Sequence, residues 1–184
     1  MEPVEPADNG WVSGWDAAVR VLHSALALAV AFDFVHDEGD WLHRVVGYGA
    51  AGVVVTRLIW GAVTHGHGRM AMLKPSPRAT WIYLRALLRG QPPRRPGHDP
   101  LGLWMVWLLW MLVLLLGVTG WMSRLDAFWG DDLIHDLHMW LADALWVAVV
   151  LHLAGVVGMS WIWRENLVSA MFTGRRRHMA GPPP

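Results

Sequence analysis

Residues 101–122 form an unbroken stretch of 22 residues without a charge or a histidine. A helix of ~20 apolar residues crosses a bilayer. In hydrocarbon every backbone polar group must be satisfied within the segment, so such a stretch is either helical or excluded. This one feature removes most soluble folds. Composition agrees: 54% of residues are hydrophobic, 14 are Trp, and only 16% are charged, against ~25% in soluble domains. A disordered chain and a highly charged nucleic-acid binder are excluded, and no nucleic-acid partner is expected.

Three further spans follow from the same reading. Residues 144–163 are nearly as apolar, interrupted by His152, and their helix extends back towards Leu133 with Asp143 inside it. Residues 42–63 carry His43, Arg44 and Arg57; residues 17–34 carry Arg20, His23 and Asp33. The fold class is therefore all-α, an integral membrane four-helix bundle. Residues 76–90 repeat Arg78, Arg85 and Arg89 at helical spacing over an apolar face, which predicts a short helix at the lipid headgroups between spans two and three. Residues 90–100 are a Pro- and Gly-rich loop. The division is residues 1–14 as an N-terminal segment, 15–174 as the four-span domain, and 175–184 as a basic, Pro-rich tail.

Charge orients the bundle. The connection between spans two and three carries Arg69, Lys74, Arg78, Arg85, Arg89, Arg94 and Arg95, and Arg164 and Arg175 to Arg177 follow the fourth span. The other two connections are acidic, with Asp33, Asp37, Glu38 and Asp40 in one and Asp126, Asp131 and Asp132 in the other. Positive loops stay cytoplasmic, so both termini are expected inside a bacterial inner membrane. Glu2, Glu5 and Asp8 stand where a signal peptide would be basic, so the first span is expected to be kept as an anchor. The tail arginines suit anionic lipid.

With no Cys, disulfides, Cys-ligated metals and covalent haem are excluded. Ionisable residues within spans are functional candidates, and four histidines lie there: His23, His43, His138 and His152. His138 and His152 are fourteen residues apart, about 21 Å along a helix and nearly on one face. Depth pairs His23 with His152 and His43 with His138. Two facing imidazoles in an apolar bundle suit a haem iron, and two haems stacked across a bilayer make an electron wire. A metal or proton path, or hydrogen-bonded packing without a cofactor, are the other readings.

Gly47 and Gly155 sit one turn from His43 and His152, where a porphyrin must approach the backbone. Gly52, Gly117, Gly120 and Gly158 are assigned to helix packing. Arg20 and Arg57 are expected to face haem propionates, with Arg44 and Arg124 as counterparts at the outer end. His135 is the rival to His138, about 100° off the shared face. His36, His65, His67, His98 and His178 are expected to be solvated. Asp143 is expected to make a polar contact within the bundle or to take protons from a quinol.

At these residues the chain resembles the prokaryotic cytochrome b561 family, and is similar to the b-type cytochrome subunits of nickel–iron hydrogenases. The matching stretches are Trp15-Asp16 with Arg20 and His23; Leu42-His43-Arg44 with Gly47; Arg57-Leu58-Ile59-Trp60-Gly61; Gly97-His98-Asp99-Pro100-Leu101-Gly102; His135, His138 and His152; and Ala170-Met171-Phe172-Thr173-Gly174. The likeness covers about residues 15–177. It departs at Asp99, where the family commonly has Asn, and in being shorter than the hydrogenase subunits. The resemblance implies a four-helix bundle with two non-covalent haems b, each held by two of His23, His43, His138 and His152. It implies exchange of electrons with quinone or quinol. The redox partner expected is a c-type cytochrome or hydrogenase-like subunit, and homodimerisation stays open. Some relatives oxidise superoxide and reduce quinone; the acidic outer loops place that superoxide:quinone oxidoreductase reading second, because an anionic substrate needs a cationic funnel.

Overall fold

A computed structural model describes residues 11–13, 17–63, 74–90, 99–164, 166–173 and 175–177. Expectations placed on residues 1–10, Trp15, Asp16, His65, His67, Arg69, Arg94, Arg95, Gly97, His98, Gly174 and His178 lie outside the described residues. Among the described residues four helices are long and apolar enough to cross a membrane: α1 (Ala17–Val35), α2 (Trp41–Val63), α4 (Pro100–Met122) and α5 (Asp132–Trp163). Between α2 and α4 lies α3 (Pro77–Leu88), and after α5 comes α6 (Leu167–Thr173). Each span begins and ends within a residue or two of its sequence expectation. The fourth reaches back to Asp132, which makes it 32 residues, about 48 Å long.

The helix starts are chemically marked. Asp99 accepts the Gly102 N–H at 2.6 Å and is followed by Pro100 at the first helical position of α4. Asp131 accepts the Leu133 N–H at 2.8 Å at the head of α5, and Asp40 accepts the His43 N–H at 2.9 Å in the first turn of α2. Each carboxylate satisfies an amide that a helix N-terminus leaves without an intrahelical partner.

The packing is uneven, and that unevenness positions the site. α4 packs along α5, α1 along α2, and α2 along α4. Ala50, Val54, Trp110, Leu112, Val113, Leu145 and Ala148 form the core where α2, α4 and α5 meet. Gly117 lets α4 close on α2, since a Cβ there would stand 3.1 Å from the Ala51 Cβ. The backbones of α1 and α2 approach α5 far less closely, and α1 buries no residue fully. Those seams are bridged by rings: His23 to His152, His43 to His138, and Phe34 edge-on to Trp146 at 5.2 Å. Large apolar side chains such as Leu28, Ile59, Met111 and Val157 face outward, as lipid contact requires.

α3 is docked rather than loose. Tyr83 is buried and donates its hydroxyl to Asp99 Oδ2 at 3.4 Å, and Trp104 Nε1 donates to Thr80 at 3.1 Å. Burial, reinforced by the neighbouring Asp99 carboxylate, pushes the Tyr83 phenol up to about 12. Two features at the end of the bundle that holds α3 had no sequence expectation. One is α6, held by the Arg20 Nη1 hydrogen bond to the Phe172 carbonyl at 2.6 Å. The other is an antiparallel ribbon pairing β1 (Trp11–Ser13) with β2 (Arg175–Arg177), in the register Trp11 to Arg177.

Candidate functional site: two facing pairs of imidazoles

The bundle has an acidic end, where α1 joins α2 and α4 joins α5, and a basic end, where α3 and α6 lie. Each end holds one histidine pair. At the basic end the rings of His23 and His152 lie 6.5 Å apart between centroids, inclined at 49°. At the acidic end His43 and His138 lie 6.4 Å apart, inclined at 75°. His43, His138 and His152 are half-buried, and His23 is exposed along the α1–α5 seam. Helical antiparallelism does this work: α1 rises as α5 descends, so an early residue of one meets a late residue of the other.

The acidic-end pair has a hydrogen-bonded surround. His138 Nδ1 lies 2.8 Å from the Thr119 hydroxyl. His43 Nδ1 lies 3.0 Å from the His36 carbonyl oxygen and 3.6 Å from Asp33 Oδ1. His36 is therefore half-buried and structural at its carbonyl, not a solvated loop residue. Its Nε2 stands 3.2 Å from Asp40 Oδ1, an ion-pair distance without hydrogen-bond geometry. The His43 backbone N–H, donated to Asp40, is the main cause that holds the Asp40 carboxyl below its ordinary value of 3.8.

The other residues singled out fall as follows. Gly155 has open space where a Cβ would stand, and Gly47 faces Asp33, whose Oδ2 would lie 3.3 Å from such a Cβ. Arg20 is tied to the end of α6 through Phe172, while its Nε is buried without a hydrogen-bond partner. Arg57 is buried with its guanidinium 5.7 Å from the Trp110 ring centre, and Arg124 lies 5.5 Å from that of Trp129. His135 is exposed. Asp143 is exposed on α5, so the expected contact inside the bundle is not made. A Cβ at Gly120 would stand 3.5 Å from His138 Cε1, whereas one at Gly52 or Gly158 would meet nothing within 4 Å.

Thr119 and the His36 carbonyl escaped the sequence reading. Thr119 carried a signal: it is the one hydroxyl in the 22 apolar residues 101–122. The His36 carbonyl carried none, since backbone direction is not written in residue type.

Among the described residues no three His, Cys, Asp or Glu side chains converge on one point, as a closed zinc site requires. What the bundle brings together is two pairs of facing imidazoles in apolar seams between membrane-spanning helices, an arrangement compatible with a membrane b-type cytochrome. The family model described as prokaryotic cytochrome b561 matches residues 14–174. The chain belongs to that family, and so is a bacterial membrane protein that binds haem b and carries electrons. No curated protein and no solved structure matches it.

Proposed function

We propose that this protein is a di-haem wire that moves electrons across the bacterial inner membrane, between the quinone pool and a redox partner at the acidic face. The observation that carries the reading is the pair of matched ring separations, 6.5 and 6.4 Å, at opposite ends of one bundle. A metal–imidazole bond is ~2.0 Å, so two imidazoles with centroids about 6 Å apart would both be within reach of one metal ion. The donor sets fit: His23 with His152 for one haem, His43 with His138 for the other. Each haem b, when bound, supplies a one-electron iron couple.

The chain's own residues do the rest. α5 carries one ligand of each pair, fourteen residues apart, and so fixes the spacing of the two sites at about 21 Å along its axis. Gly155 keeps the backbone clear beside His152, and Gly47 does the same for Asp33 beside His43. Arg20 and Arg57 are the cations for anionic propionates, with both termini and these residues on the cytoplasmic side. Asp37, Glu38, Asp126, Asp131 and Asp132 make the outer face acidic, which steers a basic partner such as a c-type cytochrome. Asp143, exposed on α5, is the carboxylate placed to meet a membrane-borne quinol. Residues 15–174 form the functional unit.

The test is a reduced-minus-oxidised optical spectrum of purified protein, with haem per chain by pyridine haemochrome. Two non-covalent b haems are expected, falling to about one in His43→Ala and in His152→Ala. Quinol is expected to reduce both, and raised ionic strength to slow transfer to a basic cytochrome. A colourless protein after expression with added haem overturns the reading.

A further inference from the structure

Thr119 is 3% exposed, on the one spanning helix among the four that contributes no histidine to the site. A hydroxyl has one proton to donate. That proton serves the helix backbone, with Oγ1 lying 3.0 Å from the Leu115 carbonyl and 3.2 Å from that of Leu116. With that proton on the backbone, the hydroxyl accepts in its 2.8 Å contact with His138 Nδ1, whose direction follows the ring's tautomer. In that arrangement Nδ1 carries the ring proton, and Nε2 keeps its lone pair.

The facing ring obeys the same rule. The His36 carbonyl near His43 Nδ1 can only accept, and the Asp33 carboxylate adds negative charge beside it. Both acidic-end imidazoles are thus held as Nδ1–H tautomers with Nε2 free to bind. Neither ring of His23 nor of His152 has a hydrogen bond of this kind among the described residues; the two rings face each other.

We propose that Thr119 is a positioning residue for the acidic-end site: its hydroxyl fixes His138 as an Nε2 ligand and makes this end the lower-potential of the two. A hydrogen bond accepted from Nδ1–H makes the imidazole more basic at its other nitrogen. A more basic ligand favours ferric over ferrous iron. The basic end lacks that bias, so the two haems differ in potential through their surround and not through ligand type. The inference rests on the di-haem reading above.

The experiment is an optical redox titration of the purified holoprotein and three variants. Thr119→Val keeps the branched shape and removes the acceptor. It is expected to shift the ferric/ferrous balance of one haem about tenfold, an upward move of ~59 mV for a one-electron couple, and to leave the other in place. The haem that moves is the one missing from His43→Ala. Thr119→Ser restores the native potential. Thr56→Val, which removes a hydroxyl bonded only to its own helix at Gly52, moves neither. Loss of one haem in Thr119→Val, regained in Thr119→Ser, also supports the inference. Two haems with unmoved potentials in Thr119→Val, or Thr119→Ser behaving like Thr119→Val, overturn it and leave the di-haem reading standing. Fewer than two haems in the wild-type protein overturns both.

Discussion

His135 and His138 lie one turn apart on α5, yet only His138 turns into the seam, where its ring meets His43 at 6.4 Å; His135 is exposed. A residue three places along a helix is displaced by about 60° from a full turn, and here that is enough to separate seam from surface. His135→Ala is therefore expected to retain both haems and their potentials. His138→Ala is expected to lose one. Haem content of the two purified variants decides it, and equal losses would mean that the ligand has been misassigned.

Gly155 and Gly158 both have open surroundings, so neither is needed to pack one helix on another. They differ in direction: Gly155 lies about 60° around α5 from His152, and Gly158 about 120°. Gly155→Leu is expected to cost the basic-end haem while helix content by circular dichroism is unchanged. Gly158→Leu is expected to keep two haems. Loss of haem from both variants would point to general disruption instead of a ligand face.

Most of the fold was legible because a bilayer allows few answers. Once residues 101–122 could only be a helix, the lengths of the other apolar stretches set the remaining spans, and the bounds of α1, α2 and α4 agree within a residue. The pairing of His23 with His152 and His43 with His138 was legible too, because alternating helix direction converts position in the chain into depth. What the sequence withheld is lateral. Asp143 has a depth but no stated direction, and it faces outward. The charge of Arg20 suits a propionate, but the acceptor of its Nη1 is the Phe172 carbonyl on α6, a helix of seven residues with no strong pattern. Contacts made through backbone carbonyls, such as His36 to His43, depend on turn geometry that residue type does not encode.

Gly117 governs the closest approach between α2 and α4. A Cβ at 3.1 Å from the Ala51 Cβ is tighter than ordinary contact, so the helices must part slightly to admit it. Gly117→Val is expected to destabilise by about 1–3 kcal/mol, the usual cost of overpacking. Ala51→Gly should recover part of that loss in the double variant, since the two sites are in direct contact. Thermal unfolding in detergent measures both, and full additivity would show that the clash lies elsewhere.

Asp40 ties the first turn of α2 to the residue that follows it by three, His43. Its folded value is depressed, mainly by the His43 N–H. Its contribution is therefore fully present above the unfolded value of 3.8 and is lost as pH falls through the lower folded value. Asp40→Asn keeps a capping oxygen without the charge. The wild-type protein is expected to lose more thermal stability between pH 5 and pH 3 than Asp40→Asn does. Parallel declines in the two proteins would remove Asp40 from the acid response.

Asp99 uses its two oxygens for different helices: Oδ1 caps α4 at Gly102, and Oδ2 receives the Tyr83 hydroxyl of α3. The neutral phenol is the favoured form, first through burial and then through the carboxylate, and it titrates at about 12. The sign is that of a raised value: stability from the buried phenol is intact below the ordinary 10.0 and is lost as pH rises through about 12. Asp99→Asn keeps the cap, because Asn and Asp are comparable at that position. It removes the charge, so Tyr83 should ionise at lower pH than in the wild type while staying above 10.0, since burial is the larger cause. Tyr83→Phe is expected to cost about 1 kcal/mol for the lost hydrogen bond, with the ring still seated. Ultraviolet difference titration of the phenol and thermal unfolding test the two expectations. An unchanged Tyr83 titration in Asp99→Asn would show that the carboxylate does not act on the phenol and that burial alone raises it.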